Sequence, residues 1–306
     1  MKFCKAAVVV LVSMLMLCGC TDAPGAKDSS SSGATFQTVE ANSGGDSASG
    51  STEEITFDQA NILKFNLQQR DDKSYEEIIA TFMVKNDSAD DITNFSADFS
   101  YNDSEGNSIC DDSRVVDFGI QPKKSSCVVS YSSLEGVKKK DIDQIEVSAY
   151  TYTIDDVTYE VDLSNKDVTT YTTENDSETK VDFDGYNILS FDYKDMGKVT
   201  DSLYKVIVKA KNNGDRAVSY ISIDMAYFDK DGNLIYTDGR FNDKSIKPGK
   251  FVSTNSFSDG DYFDASVKSF GVYKYEYRLS EEDKNGFNCY EVNMRTGEAV
   301  GSLIEE

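Results

Sequence analysis

Two short loops place oxygen ligands at a spacing suited to calcium. "DSEGN" spans residues 103–107 and "DKDGN" spans residues 229–233. A calcium loop that opens with alternating acidic oxygens and a Gly is closed by a bidentate Glu at its twelfth position. Counted from Asp103 and from Asp229, that position holds Arg114 and Arg240. A guanidinium cannot ligate a cation, so no metal site is expected. The loops read instead as tight turns in which Gly and Asn accept positive φ. Each Asp and its downstream Arg then form a candidate salt bridge beside the turn.

Catalytic chemistry finds little support. The chain has no His, so neither a Ser-His nor a Cys-His pair can form. It carries 54 acidic residues, and that abundance makes any one carboxylate pair uninformative. No catalytic residue and no cofactor are expected, and the chain reads as a non-enzyme. Its net charge of −23 argues against nucleic acid as a partner, because such binding relies on basic patches.

Aromatic residues offer a binding chemistry. There are 18 Tyr and 17 Phe but no Trp. In "GVYKYEYRL", Tyr273, Tyr275 and Tyr277 fall on alternate positions, hence on one face of a strand. Exposed, such a stripe stacks on a sugar or a peptide; buried, it packs a core. Both readings stay open from the sequence.

Of six cysteines, Cys4, Cys18 and Cys20 lie in the N-terminal segment, leaving Cys110, Cys127 and Cys289. Cys110 and Cys127 sit on candidate neighbouring strands. They are read either as a disulfide pair or as small buried hydrophobes.

The elements that must position these residues come as a repeat. "ITFDQANILKF" at 55–65 lies over "VDFDGYNILSF" at 181–191, and the offset of 126 continues without a gap. Twenty-two identities fall in the 76 pairs from residue 55 to 130, among them Asn86/Asn212, Asp98/Asp224, Tyr101/Tyr227 and Arg114/Arg240. Later, "YEVDL" at 159–163 matches "YEVNM" at 290–294 with an offset of 131, which places the inserted residues in "SEEDKNG" at 280–286. Each copy alternates as β-strand, with Val206 and Val208 on one face and Ile221, Ile223, Met225 and Tyr227 on another. "IEVSAYTYTI", Asp155-Asp156 and "VTYEVDL" form a hairpin. The expected fold is all-β, with two tandem β-sandwich domains. Residues 55–168 form the first sandwich, 169–180 a polar linker and 181–306 the second.

"FSYND" at 99–103 and "MAYFD" at 225–229 resemble the motif of the FxLYD family of bacterial extracytoplasmic domains. Met225, Tyr227, Phe228 and Asp229 match its apolar, apolar, aromatic and Asp positions. The first copy has Asn102 in place of the aromatic. "KNNG", Gly232 and Pro248-Gly249 match the family's later turns; "KNDS", Gly106 and Pro122-Lys123 stand in the first copy. The resemblance implies an Ig-like sandwich outside the cytoplasm, often on a lipoprotein, and implies no mechanism.

The N-terminus agrees with that location. Lys2 and Lys5 precede an apolar run over residues 6–18, too short for a spanning helix of roughly 20 residues. Leu17-Cys18-Gly19-Cys20 resembles the bacterial lipobox. The resemblance implies a signal peptide of residues 1–19, cleavage before Cys20, and a lipid on Cys20 that holds the chain on the extracytoplasmic face of the cell membrane. Residues 20–54 then carry the lipid and a Ser/Gly-rich tether, with a span of roughly 30 to 35 Å. The leading expectation is a surface-anchored, non-enzymatic lipoprotein that serves as a protein-interaction or envelope-associated module, with an envelope protein or glycan as its partner. The other is a ligand-binding module for cell-wall glycan or peptide, using the tyrosine stripe or the seam between domains.

Overall fold

Alternation of apolar and polar residues at period two leaves few options besides strands, and strands account for nearly all regular structure. The computed structural model describes residues 55–71, 77–133, 139–172, 179–200, 203–259 and 267–304. Cys20 and the segments expected to form the signal peptide and the tether lie outside these residues. The first repeat opens with one helical turn, α1 (Phe57–Ala60). Strands follow: β1 (Leu63–Asp71), β2 (Glu77–Asn86), β3 (Phe95–Asn102), β4 (Ser108–Val116), β5 (Ser125–Ser133), β6 (Gln144–Ile154), β7 (Val157–Asp162) and β8 (Asp167–Thr172). The second repeat adds β9 (Thr179–Val181) before α2 (Phe183–Tyr186). It then follows the same order: β10 (Leu189–Lys198), β11 (Leu203–Asn212), β12 (Val218–Phe228), β13 (Leu234–Asn242), β14 (Phe251–Asp259), β15 (Ser269–Leu279), β16 (Cys289–Asn293) and β17 (Glu298–Ser302).

The fold is an all-β sandwich. In the first repeat β1-β2-β5 packs on the five-stranded sheet β4-β3-β6-β7-β8; in the second, the sheet β10-β11-β14 packs on β13-β12-β15-β16-β17-β9. Among the described residues strand pairs are antiparallel except one: β5 meets β13 in parallel at Ser126 and Leu234, which joins two of these layers into a nine-stranded sheet. Both repeats belong to one compact body. The expected linker 169–180 is not all linker. Thr169–Thr172 finish β8, and Thr179 and Lys180 belong to β9, which pairs with β17.

Two cores form where the alternation predicts. Phe95, Ala97, Phe99 and Tyr101 of β3 face Ile78, Ala80, Phe82 and Val84 of β2, with Phe82 and Phe99 rings 4.8 Å apart. Ile221, Ile223, Met225 and Tyr227 of β12 face Val206, Val208 and Ala210 of β11. Burying each large apolar side chain contributes about 1.5–3 kcal/mol, which makes these faces the main source of stability. The hairpin between β6 and β7 turns on Asp155 and Asp156, both at positive φ (47° and 66°), as a two-residue turn requires.

Candidate functional site

The residues identical in both repeats are used inside the fold. Tyr101 and Tyr227 reach across each sandwich to Ser130 and Ser256, at 2.7 and 2.6 Å. Each Ser hydroxyl donates to a carboxylate, Asp112 or Asp238, both at 2.7 Å. The same carboxylates accept the backbone N–H of Tyr131 (2.9 Å) and of Phe257 (2.8 Å). Arg114 and Arg240 close the two networks through Nε, each at 2.8 Å. The salt bridge expected from these arginines to Asp103 and Asp229 is therefore made elsewhere. On a strand, residues two apart share a face, so Arg114 and Arg240 reach Asp112 and Asp238. Desolvation pushes the Tyr101 phenol up to about 12.

The acidic turns are closed by backbone donors. Asp103 accepts the N–H groups of Glu105 and Asn107, both at 2.9 Å; Asp229 accepts those of Asp231 and Asn233, both at 2.8 Å. Gly106 and Gly232 take φ of 84° and 78°. The Asn107 side chain and backbone N–H hold the Asp103 carboxyl below its ordinary value. Among the described residues no group of three His, Cys, Asp or Glu is placed to hold a metal ion. Asn86 and Asn212 act as matching plugs, each donating through Nδ2 to the carbonyl of Ile120 (3.0 Å) or Ile246 (2.9 Å).

The tyrosine stripe is buried rather than exposed. Tyr275 and Tyr277 are fully buried in the second core, where Tyr277 stacks on Tyr290 at 5.2 Å and Tyr275 donates to Asn187 Oδ1 at 2.8 Å. Nor do the three share a face. The register of β15 on β12 jumps from Lys274–Asp224 to Val272–Met225, and this bulge turns Tyr273 to the opposite side. The disulfide is not made either. Cys110, Cys127 and Cys289 are free thiols. Cys110 lies on β4 and Cys127 on β5, strands of different sheets rather than neighbours in one. Burial pushes the Cys127 thiol up to about 12.

A site does form at the seam between the repeats. After β4, Gly119 takes φ of 69°, and a Cβ there would lie 2.0 Å from the carbonyl oxygen of Ile92. Only Gly fits this approach, and the turn presents Phe118 to the outer face of the second repeat. Phe118 meets Tyr273 at 5.1 Å and Phe228 at 5.4 Å, beside Ala226 and Leu234. The Arg295 guanidinium lies over the Phe118 ring at 5.0 Å. Its Nη2 donates to Asp91 Oδ1 and to the carbonyl of Ile92 at 3.1 Å.

Beside this cluster opens a cleft of about 640 Å³ whose twelve lining residues come equally from the two repeats. Lys274 lies in it, 3.6 Å from Asp117, 3.6 Å from Glu291 and 3.9 Å from Asp224. Burial works against the Lys274 charge, yet Glu291, Asp117 and Asp224 together hold its pKa above the ordinary value. Burial also raises Asp224 to about 6, against the pull of Lys274. Arg295 is the deepest charge: 6% of its side chain is exposed, and burial lowers its pKa against the pull of Asp91. Its Nε and Nη1 are buried without a hydrogen-bond partner, and so are Thr296 Oγ1 and Ser126 Oγ. Ser126 sits at the parallel bridge, so all four such atoms among the described residues belong to the seam.

Neither Arg295 nor Phe118 stands out by motif. The signal that marks them is the departure from the repeat. At the offsets of 126 and 131, Phe118 and Arg295 answer to Lys244 and Ser164; by their places opposite β12 and β3, Tyr273 and Lys274 answer to Ser148 and Ala149.

No known protein family matches the sequence, and none of the curated proteins is similar to it. Among solved structures, a transglutaminase from red sea bream is similar over 80% of this chain and 31% of its own, with 9% identity and a TM-score of 0.23. An exo-chitosanase from Amycolatopsis orientalis is similar over 75% of this chain and 26% of its own, with 12% identity and a TM-score of 0.20. Likeness at this level does not bear on what the chain does.

Proposed function

We propose that this chain is a non-enzymatic binding module, held on the extracytoplasmic face of a bacterial cell membrane by a lipid on Cys20. The observation that carries the binding role is the division of the polar groups. Those repeated in both halves satisfy one another inside the sandwiches, whereas the buried unsatisfied ones among the described residues gather at the seam, three of the four on Arg295 and Thr296 of the cleft. What supports the location is the lipobox-like Leu17-Cys18-Gly19-Cys20 and the resemblance of residues 99–103 and 225–229 to the FxLYD motif. The polar segment that follows Cys20 would give the module reach toward an envelope partner. Its charge, −23 overall and −25 once Lys2 and Lys5 are removed with the leader, keeps it soluble and turns it away from anionic polymers.

Fractionation of cells expressing Cys20→Ala tests the anchoring. The expected result is an unprocessed chain, or one recovered free of the membrane fraction. Unchanged processing together with unchanged membrane association would sink this reading.

A further inference from the structure

We propose that the seam cleft binds a peptide end or amino acid that carries both a free carboxylate and ammonium groups, the carboxylate at Arg295 and Thr296 and the ammonium groups at Asp155, Asp156 and Glu298. This rests on reading the cleft as the binding site and names the ligand chemistry it takes.

The argument is one of charge and satisfaction. Six carboxylates line the cleft against two cations, Lys274 and Arg295. Asp91 is engaged by Arg295, and Asp117 and Glu291 by Lys274. Asp155, Asp156 and Glu298 are exposed at the cleft. One exposed lysine, Lys180, serves the last two, at 3.8 Å from Asp156 and 3.2 Å from Glu298. An anion alone would meet this acidic rim and be repelled. A cation alone would match the rim and leave the buried donors of Arg295 and Thr296 unpaired, which is unfavourable in a desolvated site. A zwitterionic ligand answers both. A cleft of this size holds a ligand of a few residues, within the range of small-molecule sites. Because Arg295 Nε and Nη1 lie beneath the surface, the carboxylate engages them only as the guanidinium shifts from its stack on Phe118. Binding therefore disturbs the packing around Tyr273, which lies against the same ring.

Calorimetric titration of the mature chain with trilysine, trilysine C-terminal amide and spermidine, at low ionic strength, decides the matter. Trilysine is expected to bind one to one and to change the tyrosine fluorescence. The amide should bind at least about tenfold more weakly despite its higher positive charge, since it lacks the charge-assisted hydrogen bonds. Spermidine should be weaker still. Asp155→Asn with Asp156→Asn should weaken trilysine and its amide alike, and Arg295→Gln should abolish the preference for the free acid. If acid and amide bind equally and both are weakened by the paired Asn substitutions, the cleft remains a binding site and the proposed carboxylate pairing is wrong. If no probe binds, the cleft reading falls with it. Should Arg295→Gln not fold, the acid-to-amide ratio of the unsubstituted chain decides alone.

Discussion

Asp112 and Asp238 show how one carboxylate can tie two sheets together. Each accepts a Ser hydroxyl, a backbone N–H and an Arg Nε, so its charge is met by three donors at 2.7 to 2.9 Å. The Ser hydroxyl in turn joins the Tyr on the facing sheet. Removing the carboxylate strands an N–H and leaves an Arg without its partner, a cost well above that of losing one neutral hydrogen bond. Asp238→Ala is expected to lower stability by about 2–4 kcal/mol, and Ser256→Ala by about 1 kcal/mol, read from urea denaturation of the chain. Equal, small losses for both would show that the carboxylate is not the hub. These positions were legible in the sequence as identities between repeats. Their roles were not, because Arg114 and Arg240 looked like the ends of loops beginning at Asp103 and Asp229. Only the pairing of strands shows that the nearer carboxylate, two residues away, takes them.

At the scale of the element, the cores followed from alternation alone. Burial at period two needs nothing beyond the order of apolar residues, so β2, β3, β11 and β12 and their inward faces could be read directly. The tyrosine stripe misled for a related reason. Alternation assumes an unbroken register, and a bulge between Asp224 and Met225 breaks it. Next to this bulge Lys274 pairs across the strands with Asp224, 3.9 Å away, and the burial of that carboxyl sets up a pH dependence. Asp224 is raised to about 6 from 3.8 by burial, with Asp117, Glu291 and Asp238 adding repulsion and Lys274 opposing them. A carboxyl raised in the folded state contributes stability that is fully present below pH 3.8 and is lost as pH rises through about 6. Ionised Asp224 therefore costs stability at neutral pH, up to about 3 kcal/mol. Asp224→Asn is expected to melt at a higher temperature than the unsubstituted chain at pH 7.5, with the gap closing by pH 4. A variant that melts lower at pH 7.5 would mean that the Lys274 contact outweighs the burial, and would overturn the assignment.

At the scale of the whole molecule, two similar repeats meet at a junction that uses different residues from each. β5 of the first repeat bridges to β13 of the second, and their counterparts, β14 and β4, are edge strands among the described residues. Repeating the same junction with another copy would need the junction's side chains at those edges. Lys244 stands where Phe118 would be needed, and Asn102, Ser148 and Ser164 where Phe228, Tyr273 and Arg295 would be. The polar substitutions leave the seam specific to the two repeats of one chain. This also explains why the sequence hid it: similarity locates what both copies share, and the seam is made of what they do not. Phe118 should then couple the two cores. The intact chain is expected to unfold in a single calorimetric transition. Phe118→Ala removes an aromatic side chain that is 6% exposed from between the repeats, at a cost of about 3 kcal/mol, and should split that transition in two. Phe251→Ala, on a side chain that is 58% exposed and away from the seam, should leave it whole. Two transitions in the unsubstituted chain, or a single unshifted one in Phe118→Ala, would show that the cores unfold without regard to this contact.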